Sequence, residues 1–175
     1  HQKEKNTDWS TEIKERVFHS FHRVPITVEE LQLKETTGTH QRVIDMVAHE
    51  LITKERIEEW KELPGVAPGV DISRDIVKLA AIERHKNTGH VGLGFLGKYG
   101  LKKGAVATSI GHDSHNLVIA GVTDEDMVLA GNRVIENGGG LAIALEGKVL
   151  ADLPLPIGGL MADEPVEVVD EKLEH

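Results

Sequence analysis

Apolar and polar residues alternate along this chain in short runs, and glycine and proline mark the breaks between them. Trp9, Ile13, Val17 and Phe21 stand four apart, the spacing of a stripe on one side of a helix, with Asp8 or Ser10 placed to cap it. Pro25 ends that pattern. Thr27 and Glu30 then have the spacing of a capping box, which predicts one further turn of helix before Leu31 and Leu33. Thr36-Thr37-Gly38-Thr39 reads as a loop. Residues 42–52 carry Val43, Ile44, Met46, Val47, Leu51 and Ile52, and the β-branched content predicts a strand followed by a turn.

Pro64-Gly65 and Pro68-Gly69 place a loop before residues 75–83, whose run Ile76, Val77, Leu79, Ala80, Ala81, Ile82 predicts a buried strand. Between Gly89 and Gly104 come Gly92, Gly94, Gly97 and Gly100. That density is entropically expensive unless the backbone needs positive φ or close approach to another group. Gly92-Leu93-Gly94-Phe95-Leu96-Gly97 has the G-x-G-x-x-G form, but without a clear strand before it or an acid after it. Close packing against another element is therefore expected rather than a phosphate cradle. Residues 105–110 and 117–121 read as short strands. The best-specified helix covers 124–137: Thr123 caps it, Asp126 stands at the box position, three acids fill its first turn and Gly138 to Gly140 supply a left-handed stop. Residues 141–145 and 148–153 flank Glu146-Gly147, a hairpin signature, and Pro154 and Pro156 end that ladder. The expected class is α+β, a mixed or mostly antiparallel sheet packed against a few helices. Three regions are expected: an N-terminal helix and linker over 1–41, a main domain over 42–163, and a cut helix or tag remnant over 164–175.

A formal net charge of -9 over 175 residues leaves no basic excess for phosphates, which argues against nucleic acid or an anionic membrane as partner. No apolar run approaches the ~20 residues of a membrane span, and the polar start His1-Gln2-Lys3-Glu4-Lys5 is not a signal peptide. A cytoplasmic protein is expected. The absence of cysteine excludes disulfides and thiolate metal sites. A start at His1 and an end at Leu173-Glu174-His175 suggest that the natural protein is longer.

Candidate chemistry gathers in two places. Glu83-Arg84-His85 stands at the end of one predicted strand, and His112-Asp113-Ser114-His115-Asn116 lies between two others. Glu83, His85, His112, Asp113 and His115 are the candidate site residues, because imidazole and carboxylate suit both a divalent metal and acid/base chemistry. The plainer alternative is that Asp113 and Asn116 bond turn backbone and the histidines satisfy buried carbonyls. His19 and His22, three apart, carry no assigned role.

Taken in order, Ile82-Glu83-Arg84-His85, Gly92-Leu93-Gly94-Phe95, Gly100 to Ala105, His112 to Asn116, Asp124 to Met127, and Leu153 to Pro156 with Gly159-Leu160-Met161 resemble the C-terminal region of bacterial and archaeal adenine deaminases. The resemblance is strong over about 72–163 and weaker at Pro25 to Leu31, which is similar to the family's linker. It implies a hydrolase of the amidohydrolase superfamily, active in purine metabolism, that turns adenine and water into hypoxanthine and ammonia. In that family a metal-bound hydroxide, from manganese or iron held by histidines and an aspartate of a (β/α)8 barrel, supplies the nucleophile. This chain is too short for the ~250 residues of such a barrel and has no His-x-His pair. It is therefore expected to be an accessory part, inactive alone and with no cofactor of its own. Adenine would be a substrate of the whole enzyme, and its catalytic barrel and a second copy would be the partners. His112, Asp113 and His115, with Glu83 and His85, would face the barrel. Family chains continue past the Gly-Leu-Met segment, so part of the domain is expected either to be missing here or to be supplied by a partner molecule. Two other readings stay open: a non-catalytic oligomerisation module, and an autonomous metal-dependent hydrolase using His112 and His115.

Overall fold

The computed structural model describes residues 10–18, 20–33, 38–111 and 114–174. Trp9, His19, the Thr36-Thr37 pair, His112 and Asp113 lie outside them. The α+β expectation holds: among the described residues one eight-stranded sheet is joined by four α-helices. In chain order the elements are α1 (Thr11–Phe18), α2 (Val28–Leu31), β1 (His40–Met46), β2 (Thr53–Glu59), β3 (Ile76–Ile82), β4 (Val91–Gly97), β5 (Ala105–Thr108), β6 (Leu117–Gly121), α3 (Asp124–Glu136), β7 (Gly140–Leu145), β8 (Lys148–Pro154) and α4 (Val166–Glu174). The strands lie in the order β2-β1-β4-β3-β6-β5-β7-β8. Among the described residues the short β1–β4 contact, Ile44 with Leu96 and Asp45 with Gly97, is parallel and the other strand pairings are antiparallel.

Helix α3 covers one face of this sheet. Met127, Ala130 and Val134 pack onto Ala80 and Ile82 of β3, Leu117 and Ile119 of β6, Ala105 and Ala107 of β5, and Ala142 and Ala144 of β7. The alanines in these strands let the helix sit close. Gly131 lets it sit closer still, since a Cβ there would stand 2.6 Å from Ile119 and 2.8 Å from Ile26. Thr123 caps α3 as expected, its hydroxyl accepting from Asp126 N at 3.4 Å. Asp126 does not complete the box. Its carboxylate accepts from Glu146 N at 3.1 Å and Gly147 N at 2.9 Å, so it secures the tight turn between β7 and β8. Gly138, at φ 69°, supplies the left-handed stop. Beneath the first turn, Lys78 of β3 is 1 % exposed and pairs with Asp124 at 2.7 Å.

Two strands were not foreseen. β2, sequence TKERIEE, is polar, yet it pairs with β1 along its full length. Its inward residues are charged: Arg56 donates from Nε to both Asp45 oxygens at 3.0 Å and from Nη1 to Glu58 at 2.6 Å. Arg74 extends the network to Glu58 at 2.7 Å and Asp71 at 2.6 Å. β4 is the glycine-rich segment, an internal strand between β1 and β3. The expected close packing is real at Gly97, where a Cβ would lie 2.1 Å from Asp45 Oδ1 and 2.9 Å from Val43.

The N-terminal segment joins the same core. Ile26 and Leu31 are buried with α3 and the sheet, and Asn132 of α3 brackets Ile26 through both its backbone groups, at 2.8 and 3.0 Å.

Candidate functional site

Antiparallel register decides which loops meet. Ile82 at the end of β3 lies beside Val91 of β4 on one side and Leu117 of β6 on the other. Residues 83–85, leaving β3, therefore emerge next to residues 114–116, entering β6. The two groups of candidate residues do converge at this end of the sheet.

Arg84 is the centre of the convergence. Continuing the alternation of β3 turns its side chain inward, and it is 1 % exposed. Nε donates to the His115 carbonyl, Nη2 to the Gly158 carbonyl at 3.1 Å, and Nη1 to Ser20 Oγ at 3.4 Å. The guanidinium carbon stands 4.7 Å above the Phe21 ring, a cation–π arrangement. Gly159 fits against it without a side chain; a Cβ would come within 2.9 Å of the guanidinium. Burial draws the Arg84 pKa below the ordinary arginine value, because an acid does not offset the lost hydration among the described residues.

Around this cation the chain ties itself together. His22 N donates to the Arg84 carbonyl at 2.8 Å, and Gly158 N to the Val17 carbonyl at 2.9 Å. Ser109, fully buried, donates from Oγ to the Gly159 carbonyl at 2.6 Å and accepts from Gly140 N at 2.7 Å. The N-terminal strap, the β3 exit, the β6 entrance and the 157–161 turn thus share one polar node.

The expected site residues divide by what they touch. Glu83 is a loop staple. One carboxylate oxygen accepts from His85 N at 2.6 Å and Lys86 N at 2.8 Å, the other from Thr88 N at 3.0 Å and Thr88 Oγ1 at 2.9 Å. The Thr88 amide and the other donors stabilise its charged form and hold its pKa at about 2. His85 is exposed, and its Nε2 lies 2.9 Å from the Ser114 carbonyl, so that nitrogen carries the proton. His115 adopts the left-handed φ of 47°, and its buried Nδ1 has no hydrogen-bond partner among the described residues. His112 and Asp113 lie outside the described residues. Beside His85 a hollow of about 590 Å³ is lined by Glu15, Arg16, Ser20 and His22.

The described donors do not fit a metal. Glu83 spends both oxygens on backbone and Thr88, His85 spends Nε2 on a carbonyl, and no group of three His, Asp or Glu among the described residues could hold an ion. What the arrangement can do is present a rigid, polar, hydrogen-bonding end of the sheet. Sequence reasoning quoted Arg84 without assigning it a role. The signal was there: it stands two residues after buried Ile82, on the inward side of the strand.

The family described as adenine deaminase C-terminal domain matches residues 50–175. The adenine deaminase of Lysinibacillus sphaericus is 42% identical over 158 residues, 90% of this chain and 27% of that protein. That of Oleidesulfovibrio alaskensis is 48% identical over 151 residues, 86% of this chain and 26% of its own. That of Kosmotoga olearia is 49% identical over 138 residues, covering 79% and 24%. The chain spans about a quarter of the length of the curated relatives it matches.

Proposed function

Since the chain belongs to the adenine deaminase C-terminal domain family, we propose that it is the accessory domain of an enzyme that converts adenine and water to hypoxanthine and ammonia. The observation that carries this reading is the asymmetry of coverage: a relative aligns with 90% of this chain, while this chain accounts for only 27% of that relative. The other three quarters of such a protein have ample length for a (β/α)8 barrel, the part to which we assign manganese or iron and the deamination itself. The reading is of a cytoplasmic enzyme of purine metabolism. Among the described residues no helix is long and apolar enough to cross a membrane, which is compatible with that setting.

In this proposal the polar end around Arg84 is turned towards the barrel, and the chain's own residues contribute shape rather than chemistry. His85, the strap at Ser20 and His22, and the 114–116 turn offer donors and acceptors on a backbone fixed by the Arg84 and Glu83 bonds. Rigid presentation of this kind suits the bracing of a neighbouring domain or the closing of its pocket.

A chimera tests the proposal. The matching C-terminal quarter of the Oleidesulfovibrio alaskensis relative would be replaced by residues 25–175 of this chain, and ammonia release from adenine measured. Retention of at least a tenth of the parental kcat/KM is the expected result. A chimera that folds, binds its metal and fails to deaminate would contradict it.

A further inference from the structure

The stop of α3 holds a reactive pair under restraint. Asn137 alone among the asparagines of this chain precedes a glycine. That pairing is prone to spontaneous loss of the side-chain amide, because glycine has no Cβ to obstruct its own backbone nitrogen. In the reaction Gly138 N bonds to Cγ of Asn137, the bond from Cγ to Nδ2 breaks, and ammonia leaves with the proton that Gly138 N gives up. Water then opens the succinimide ring at either of its carbonyls. Its hydroxyl goes to the carbon and its proton to the nitrogen, so residue 137 ends as aspartate or isoaspartate.

The fold holds both reacting groups. Asn137 ends α3 in helical geometry, at φ -73° and ψ -7°. Gly138 N donates to the Ile135 carbonyl at 3.0 Å, and Asn137 Nδ2 donates to Asp152 Oδ2 at 2.6 Å. Ring closure needs the first bond broken and the side chain swung out of the second. The restraint is local. Helix ends fray, Asn137 is half-buried, and Asp152 is an exposed residue of the edge strand β8.

The amide at 137 also shields an unfavourable charge. Asp152 pairs with Ala142 of β7, which is buried under α3. Its carboxylate therefore lies at the C-terminal end of that helix, where the dipole disfavours negative charge. Among the described residues the Asn137 amide is the donor that meets it. An acid at 137 replaces that donor with a second carboxylate at the same helix end. From there the route to the Arg84 end is short. The Gly139 carbonyl accepts from Leu155 N at 3.0 Å, Gly140 N donates to Ser109 Oγ at 2.7 Å, and Ser109 Oγ donates to the Gly159 carbonyl. Gly139 lies so close to Gly159 that a Cβ would stand 2.3 Å from its Cα.

We propose that Asn137 is a latent deamidation site, kept as the amide by the α3 stop and Asp152, and that its conversion to an acid loosens the polar end around Arg84.

Peptide mapping by mass spectrometry, on the 175-residue chain incubated at mildly alkaline pH, tests this. In urea Asn137 should convert ahead of Asn87, Asn116 and Asn132, and in the folded chain at least about tenfold more slowly, a protection of ~1.4 kcal/mol. Asp152→Ala should speed conversion in the folded chain by about five- to tenfold, the loss of one hydrogen bond to a charged acceptor. Asp152→Asn, which keeps an acceptor oxygen, should stay within about twofold of the parent. Asn137→Asp, the product made directly, should keep the far-UV circular dichroism and lose exchange protection at the Gly140 and Leu155 amides. Equal rates at Asn137 in the folded and unfolded chains would overturn the proposal. So would an amide that survives unchanged in both the folded parent and Asp152→Ala, a rate unmoved by Asp152→Ala, or an Asn137→Asp protein that keeps both amides protected.

Discussion

At Arg84 the guanidinium gives up water entirely and takes in exchange two carbonyls, a serine hydroxyl and the Phe21 ring. Shortening it strands those acceptors in a buried setting, where each unmet group costs about 1–3 kcal/mol. Arg84→Met, which keeps the apolar stem, is therefore expected to lower stability by roughly 3 kcal/mol on that scale, read as a shift in the urea midpoint at unchanged slope. Glu83 acts through its charge. Its folded pKa of about 2 lies below the ordinary glutamate value, so the loop ties are intact above about pH 4.3 and are lost as the pH falls towards 2. A carbon-detected NMR titration should place its midpoint near 2, and Glu83→Ala should abolish protection of the Lys86 and Thr88 amides at every pH. A midpoint at the ordinary value would show that the staple does not form. At this scale the sequence was legible in part. Strand-end placement made Glu83, His85 and His115 candidates but left open whether their loops meet; the register of β3 against β6 decides that they do. It did not say that Glu83 is consumed by its own loop, because that depends on Thr88 folding back across five residues.

Elements with a local signature matched expectation, and those made by tertiary contact did not. α3 carried its cap, its first-turn acids and its glycine stop in the sequence, and Glu146-Gly147 announced its hairpin through two left-handed residues. β2 was hidden because its inward face is an ion-pair network rather than an apolar stripe. β4 was hidden because glycine has low strand propensity, and only its neighbours β1 and β3 make it a strand. Its glycines are not equivalent. Gly97→Ala would drive a Cβ into Asp45 and Val43, and is expected to cost about 2–3 kcal/mol as overpacking. Gly94→Ala meets nothing and needs no unusual φ, and should raise monomer stability by about 0.5 kcal/mol through the unfolded chain. Thermal unfolding of the two variants separates these roles; equal losses at both positions would show that the whole run serves one purpose.

For the molecule as a whole, six short motifs in order pointed to the family before any fold was available, and the family match over residues 50–175 agrees with that resemblance. Which apolar residues share a face of the sheet was beyond sequence reading, because that depends on a register that only pairing fixes. Two features fit the proposed accessory role: a polar end of the sheet organised around Arg84, and donor groups already committed to backbone. The most direct measurement is ammonia release from adenine by the purified 175-residue chain with added manganese, beside metal analysis of the same sample. The account predicts no release above the blank and no stoichiometric metal. Sustained turnover with manganese bound one or two per chain would contradict it, and would move the catalytic centre to His85, His115 and the adjoining His112 and Asp113.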